Sequence, residues 1–230
     1  MRKLIYVPIL HSSADLGSIA DDVTSKGTKL LGLEGWERHL NTINLFWDSI
    51  ENYFHSLNAN GFKIFQDSLV ADGETGEKIV NAAATKGSRN YVIIRELLAK
   101  SAKVMHTEDL SLVKKEAIYI SKLAKSKSLI GKLVAYLRYK ASKKGLLKER
   151  DCFIAKTINS CLKEGETGVL FLGAFHNVLP ILAQDIKVEE LKEREKVAAY
   201  QKIFYLKSKE GKKKRLEKYL AAPVEGWVEQ

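Results

Sequence analysis

Long apolar runs, cysteine and proline are all scarce in this chain of 230 residues. The longest apolar runs, 169–175 and 178–183, are much shorter than the roughly 20 residues that a membrane-spanning helix needs, so we expect no integral membrane protein. The two cysteines, Cys152 and Cys161, stand at a spacing that suggests neither a disulfide nor a shared metal, which favours a reducing, cytoplasmic location. With three prolines and no low-complexity stretch, the chain has no recognisable linker.

Three common catalytic signatures are absent as well. Neither the Gly-x-Gly-x-x-Gly fingerprint nor the Gly-x-x-x-x-Gly-Lys-Ser/Thr loop occurs, which disfavours dinucleotide and P-loop chemistry. The Gly-x-Ser-x-Gly elbow of serine hydrolases is also missing. A function therefore has to be argued from other residues.

The formal net charge of +10 is concentrated in two segments, 114–150 and 207–218. The first holds twelve basic residues against two acidic ones, and the second holds seven against two. Clustered lysines gain free energy on a phosphate backbone by releasing counterions, so helices within 114–148 are candidates for binding nucleic acid, another protein or an anionic surface. Lysines outnumber arginines 30 to 8, however, and the apolar residues of 130–137 form one helical stripe, which favours an ordinary solvated helix face.

Alternating strand and helix patterns predict an α/β fold, with a small, mainly parallel or mixed sheet covered by long helices. Short apolar runs predict strands at 4–10, 62–69, 103–105 and 169–172. From 36 to 57, apolar residues recur every three or four positions, which predicts a long amphipathic helix with Gly61 as its left-handed stop.

The remaining segments complete the predicted organisation. Four glycines in 12–35 indicate a loop with a short helix, and Thr107 is predicted to cap a helix that begins at Leu110. Further helices are predicted at 77–86, 91–101, 112–143, 148–163 and 188–220. Residues 1–186 are predicted to form a pocket-bearing domain, and 187–230 a basic helical extension of the same globular unit.

Polar side chains follow every predicted strand. The segment 11–15 follows the first, Asp67 the second, Glu108 the third, and His176 with Asn177 the last. Because the carboxyl ends of parallel strands meet at one edge of a sheet, these residues are predicted to share a pocket. A neutral imidazole at His176 could bind a divalent metal or act as a general base.

The segment Gly173-Ala174-Phe175-His176, with Glu149-Arg150-Asp151 in the preceding helix, resembles the TraB/Tiki family. That family is itself similar to the erythromycin esterase and ChaN-like superfamily. The resemblance implies an α/β fold with two histidines at strand ends over one pocket. It also implies, for some members, hydrolysis of peptide bonds that depends on a metal of the Mn or Co type. His176, Glu149 and Arg150 match by motif, whereas His11 matches by position alone, since Pro8-Ile9-Leu10-His11 lacks the family's glycine.

The sequence therefore predicts a hydrolase of a small-molecule or peptide substrate, in which His11 and His176 position a divalent metal or activate the attacking water. The alternative is a non-catalytic binding protein that uses helices 114–148. The predicted site residues are His176, Glu149, Arg150 and Glu108 for catalysis, Arg89, Asp67 and Asn177 for substrate binding, and His11, His176 and Asp15 for the metal.

Overall fold

Short apolar strands alternate with helices along the chain, in agreement with the sequence pattern. The computed structural model describes residues 1–12, 14–15, 20–125, 129–204 and 209–224, with the side chains of 119–143 left aside. The elements are β1 Arg2–Ile9, α1 Ala20–His55, β2 Lys63–Gln66, α2 Gly73–Thr85, α3 Arg89–Ala99, β3 Lys103–Val104, α4 Leu110–Lys125, α5 Leu129–Cys161, β4 Thr167–Gly173, a 3₁₀ turn Leu179–Ile181, β5 Ile186–Glu190, α6 Arg194–Ile203 and α7 Glu210–Ala221. Among the helices of these ranges, none has the length and apolarity needed to cross a membrane.

All five strands form one parallel sheet in the order β3–β2–β4–β1–β5. The predicted α/β fold is therefore confirmed. Because β4 lies between β2 and β1, the carboxyl ends of these three strands stand side by side at one edge of the sheet. A parallel sheet has to be covered on both faces, and alternating side chains along each strand supply the two apolar surfaces.

The two faces of the sheet bury separate cores. On β1, Ile5 and Val7 belong to a core shared with α1, α2, α3, α6 and α7. Leu4 and Tyr6 point to the other face, where they pack with Ile158 of α5 in a second core. The sheet is thus the middle layer of three. Helix α5 packs on the face of Leu4 and Tyr6, and its residue Arg150 reaches the edge of the sheet from there.

Helix α1 begins earlier than predicted and folds back on itself. The predicted apolar stripe from 36 to 57 is buried, but the segment 20–31 is also helical, where the glycines indicated mostly loop. Gly32 has φ 74° and ψ 166°, which interrupts the helix. A Cβ added at Gly27 would lie 2.2 Å from Cζ3 of Trp36, although residues nine apart in a straight helix are separated by roughly 13 Å. The two halves of α1 therefore pack against each other.

The C-terminal segment contains a strand that sequence analysis missed. The segment 188–220 was predicted to be helical, but Ile186–Glu190 forms β5 and pairs in parallel with β1, from Arg2 opposite Ile186 to Tyr6 opposite Glu190. The strand crosses the predicted division at residue 186. The helices α6 and α7 that follow it contribute Tyr200 and Leu216 to the core around α1.

The start of α4 and the course of α5 also differ from prediction. Asp109, not Thr107, caps α4: its Oδ1 accepts the backbone N–H groups of Ser111 at 2.7 Å and Leu112 at 3.1 Å. The Thr107 hydroxyl instead accepts the N–H of Gln66 at 3.1 Å, which ties the ends of β2 and β3 together. Residues 129–161 form one continuous helix where two were predicted.

Candidate active site

A cavity of about 490 Å³ opens at the carboxyl ends of β1, β2 and β4. His11, which follows β1, and His176, which follows β4, both line it, as do Asp67 and Ser68 after β2. Arg150 reaches the cavity from α5. Distant parts of the sequence therefore contribute polar groups to one concave site, which is the arrangement that a parallel sheet favours.

Hydrogen bonds hold both the imidazole ring and the backbone carbonyl of His176. Its Nδ1 lies 2.6 Å from Oδ1 of Asp151, and the other oxygen of Asp151 accepts the backbone N–H of Asn177 at 3.0 Å. Nη1 of Arg194 donates to the carbonyl oxygen of His176 at 2.8 Å. An anionic acceptor at Nδ1 fixes the tautomer, so in the neutral ring the lone pair is on Nε2, which lies 3.7 Å from Oδ2 of Asp67.

These neighbours determine the direction in which the pKa of His176 is shifted. The residue is 5% exposed, and this burial alone lowers the pKa of the imidazole. The hydrogen bond to Asp151 and the negative charge of Asp67 outweigh burial and hold the pKa of His176 above its usual value. His176 is thus a stronger base than a free histidine.

The close approach of Asp67 and His176 to the backbone of residue 173 explains why this residue is a glycine. The N–H of His176 donates to the carbonyl of Gly173 at 3.0 Å, which closes a tight turn at the end of β4. A Cβ at Gly173 would lie 3.2 Å from Oδ2 of Asp67 and 3.4 Å from Cδ2 of His176. The glycine therefore lets the Asp67 carboxylate accept the Gly173 N–H at 3.1 Å while the imidazole lies alongside.

Arg150 is the centre of a buried ionic cluster, and it is 4% exposed. Its Nε and Nη2 bind both oxygens of Glu108, at 3.0 and 2.5 Å. Nη2 also donates to Oδ1 of Asp67 at 2.7 Å, and Nη1 donates to Glu116. Burial lowers the pKa of Arg150, but the carboxylates outweigh it and hold the guanidinium charged.

Asp67 receives hydrogen bonds from several directions. Beside the contacts from Arg150 and Gly173, its Oδ1 accepts the hydroxyl of Ser68 at 3.0 Å. Ser68 has a φ of 64°, in the left-handed region that costs a non-glycine residue roughly 1 kcal/mol or more. Burial alone raises the pKa of Asp67. The charges of His176 and Arg150 and the N–H of Gly173 lower that pKa by more than burial raises it, so the net pKa is below the usual value. Asp67 is therefore a carboxylate at neutral pH.

A Mn- or Co-type metal requires several ligand atoms of the protein close together. Ligand atoms of Asp67, Glu108 and His176 lie within 4.8 Å of one another. Arg150, however, already holds both oxygens of Glu108 and Oδ1 of Asp67. Within this described group, the atoms that Arg150 does not hold are Nε2 of His176 and Oδ2 of Asp67, and the latter accepts the N–H of Gly173 at 3.1 Å, whereas catalytic metal sites commonly use three protein ligands. The set does not fit a resident divalent metal, because the cation between these carboxylates is the guanidinium.

Two of the predicted metal ligands lie elsewhere on the cavity wall. Oδ2 of Asp15 accepts the backbone N–H of Ser12 at 2.7 Å, and its Oδ1 accepts the hydroxyl of Ser88. Nδ1 of His11 is 4.0 Å from Oδ2 of Asp15, and its side chain is 55% exposed. The metal-like group within the described residues therefore differs from the predicted set of His11, His176 and Asp15.

Three other predicted residues point away from the cavity or to solvent. Nη2 of Arg89 binds Oδ1 of Asp48 at 2.5 Å and Oε2 of Glu51 at 2.7 Å, both on α1. Glu149 is exposed, and the side chain of Asn177 is exposed as well. Successive residues of a helix point about 100° apart, so Glu149 faces solvent while the next residue on α5 reaches the site.

Sequence reasoning gave no role to several residues that the fold brings to the cavity or next to it. Asp151 does not line the cavity but binds His176, which does, and its signal in the sequence was its place directly after Arg150 on α5. Glu116 contacts Arg150 from α4. Lys86 lines the cavity with an exposed side chain, and within the described part of the chain its ammonium has no hydrogen bond or ion pair. Phe175 lines the cavity mouth and is 45% exposed.

Comparison of the chain with family models, with curated proteins and with solved structures finds no match. The side chains of 119–143, which include seven of the eleven basic residues of 114–148, lie outside the described residues. The nucleic-acid prediction therefore stays a prediction. A function for this chain has to rest on the geometry of the cavity and its polar groups.

Proposed function

We propose that this protein is a hydrolase of the TraB/Tiki-like type that cleaves a carboxylic ester or amide with water activated by His176. The observation that carries the proposal is the pair formed by His176 Nδ1 and Asp151, 2.6 Å apart, with Nε2 of the same ring beside Asp67 at the cavity wall. An imidazole oriented by a buried carboxylate is a common way to build a general base.

Asp67 and His176 together can hold the attacking water. Because Nε2 and Oδ2 are 3.7 Å apart, one water oxygen can lie at a hydrogen-bond distance of roughly 2.8 Å from both atoms. The water donates one proton to Nε2 and the other hydrogen bond to Asp67. Its oxygen then forms the new bond to the carbonyl carbon of the substrate.

The buried carboxylates favour the charge that this step creates. Asp67, Glu108, Glu116 and Asp151 are four acidic groups near two guanidinium groups, that of Arg150 and that of Arg194 on the His176 carbonyl. Burial holds the pKa of Glu108 above its usual value. The excess negative charge stabilises the imidazolium that forms on His176, which later donates its proton to the leaving oxygen or nitrogen. Arg150 is a positioning residue, since its donors hold Asp67 in place.

The negative charge on the carbonyl oxygen needs a donor from the opposite side of the cavity. Lys86 lines the cavity and, among the described residues, its ammonium has no partner. A cation there lowers the free energy of a developing oxyanion. At about 490 Å³ the cavity is within the usual range for small-molecule sites, which suits a small ester, lactone or short peptide.

The proposal is tested by hydrolysis of a panel of carboxylic esters, lactones and amides in the presence of EDTA. Wild type is expected to cleave members of the panel, and the chelator should leave the rate unchanged. His176→Gln should lower kcat/KM by roughly 10²- to 10⁴-fold, the usual contribution of a general base. His55→Gln, at an exposed histidine on the end of α1, is the matched control and should act as wild type.

Two results would overturn the proposal. One is the absence of hydrolysis by wild type across the panel between pH 6 and 9, and the other is full activity of His176→Gln. Activity that EDTA abolishes and Mn²⁺ restores would overturn the metal-free mechanism.

A further inference from the structure

A second cavity of about 200 Å³ adjoins the candidate active site. His11 lines both cavities, so the two meet at the end of β1. The walls of the smaller cavity come from four places: the segment 10–12 after β1, the first half of α1, the second half of α1, and α6 with Phe204. Its lining includes Val23, Trp36, Leu40, Ile43, Tyr200 and Phe204.

The fold-back of α1 creates this cavity. Gly32 interrupts the helix, and the contact of Gly27 with Trp36 brings the segment 20–31 alongside the second half. Val23 of the first half, Ile43 of the second half and Tyr200 of α6 all line the resulting space. The two halves of α1, α6 with Phe204, and the segment 10–12 after β1 therefore bound the cavity.

Most of the lining is apolar, and its described residues include no carboxylate, lysine or arginine; the polar members are His11, Ser12, Thr24, His39 and Gln201. His39, the less exposed of the two histidines in the lining, binds the Tyr200 hydroxyl through Nδ1 at 2.8 Å and stacks on Phe204 with ring centroids 3.6 Å apart. Burial, with a smaller contribution from Lys213, lowers the pKa of His39 to about 3, so the ring is neutral at pH 7. A charged ligand group would lose its hydration here without a compensating partner, whereas an apolar group would not.

We propose that the smaller cavity binds the apolar group of the substrate, a single aromatic ring or a branched aliphatic chain, while the scissile bond lies beside His176. This inference rests on the proposed hydrolase function for the identity of the ligand. Because His11 lines both cavities, a substrate whose scissile bond lies beside His176 is the ligand that the position of the smaller cavity favours. Its volume is similar to that of engineered cavities of roughly 150 Å³ that hold one benzene molecule.

Binding of indole, followed by NMR titration and calorimetry, tests the cavity independently of catalysis. Val23→Trp places a ring inside the cavity and should weaken indole binding at least tenfold. Thr24→Trp, at an exposed lining position, is a second filling variant that leaves the core intact. Leu30→Trp is the matched control, because it adds the same ring to an exposed position of the same helical half and should bind as wild type.

The selectivity of hydrolysis tests what the cavity does. Wild type should prefer 4-nitrophenyl phenylacetate over 4-nitrophenyl acetate by at least about tenfold in kcat/KM, the scale on which an apolar pocket discriminates. Val23→Trp should lose that preference through a lower kcat/KM for the phenylacetate, because the added ring occupies the space that the phenyl group would take.

The two proposals fail in distinguishable ways. Indole binding that the filling variants weaken and that His176→Gln retains supports the cavity, even if the panel shows no hydrolysis. The cavity proposal is wrong if wild type does not bind indole or if both filling variants bind it as tightly as Leu30→Trp. It is also wrong if an active wild type shows no preference for the phenylacetyl ester.

Discussion

Replacing Arg150 with methionine should lower the free energy of unfolding, because it leaves the buried carboxylates without a counter-charge. The side chain of Glu108 is fully buried, and that of Asp67 is 15% exposed. Methionine keeps most of the apolar stem of arginine but ends before Nη2, the atom that binds both acids. Leaving one partner of a buried ion pair uncompensated costs about 3 to 5 kcal/mol, so Arg150→Met should lose that much free energy of unfolding at pH 7.

Urea unfolding followed by circular dichroism measures this loss. Arg95→Met, at an exposed arginine on α3, is the control and should stay within about 0.5 kcal/mol of wild type. Adding Glu108→Gln to Arg150→Met removes the stranded charge and should recover about 1 kcal/mol or more. A loss of less than about 1 kcal/mol in Arg150→Met would refute the reasoning that Arg150 compensates these acids.

The same variant tests which cation the cluster holds. With the guanidinium gone, Asp67, Glu108 and His176 are free to bind Mn²⁺, and a ligand that binds the folded state alone raises the free energy of unfolding. Mn²⁺ should therefore raise the melting temperature of Arg150→Met and leave that of wild type unchanged. A rise in wild type that His176→Gln abolishes would show that the metal, not Arg150, belongs in the site.

Two further predictions concern stability. The pKa of His39, lowered by burial to about 3, means that the folded state binds no proton there while the unfolded state does. The free energy of unfolding should thus fall by up to about 1.4 kcal/mol per pH unit from pH 6 to 4. Urea titrations of His39→Phe should show a smaller fall over this range. An equal dependence on pH in the variant and in wild type would count against the prediction. Asp109→Ala should cost about 1 kcal/mol by removing the cap of α4, and Asp72→Ala, at a cap position without a side-chain hydrogen bond, should cost less.

The sequence predicts the central strands because burial on both faces demands continuous apolar runs. The runs at 4–10 and 169–172 became β1 and β4, which lie next to each other in the middle of the sheet. The edge strand β5 has one neighbour and carries Lys187, Glu189 and Glu190 on five residues, so its composition resembles that of a charged helix. The order of the strands depends on packing between distant segments, which local pattern does not encode.

The location of the site was predictable, and its connections were not. Polar residues at strand ends indicated a shared cavity, and Asp67, Arg150 and His176 do line one. The direction of each side chain on α5 depends on the exact phase of a helix of 33 residues, which sequence alone leaves open. Arg89 shows the same difficulty, since its acidic partners lie on α1, about 40 residues away in the sequence.

The pKa of His176, measured by NMR from the imidazole C–H resonances, tests the central claim most directly. We predict a value above 6.5 in wild type, because Asp151 and Asp67 outweigh burial, and a lower value in Asp151→Asn. The acidic limb of kcat/KM should follow the same pKa in both proteins. A pKa at or below 6.5 in wild type, unchanged by Asp151→Asn, would contradict the assignment of this pair as the proton acceptor.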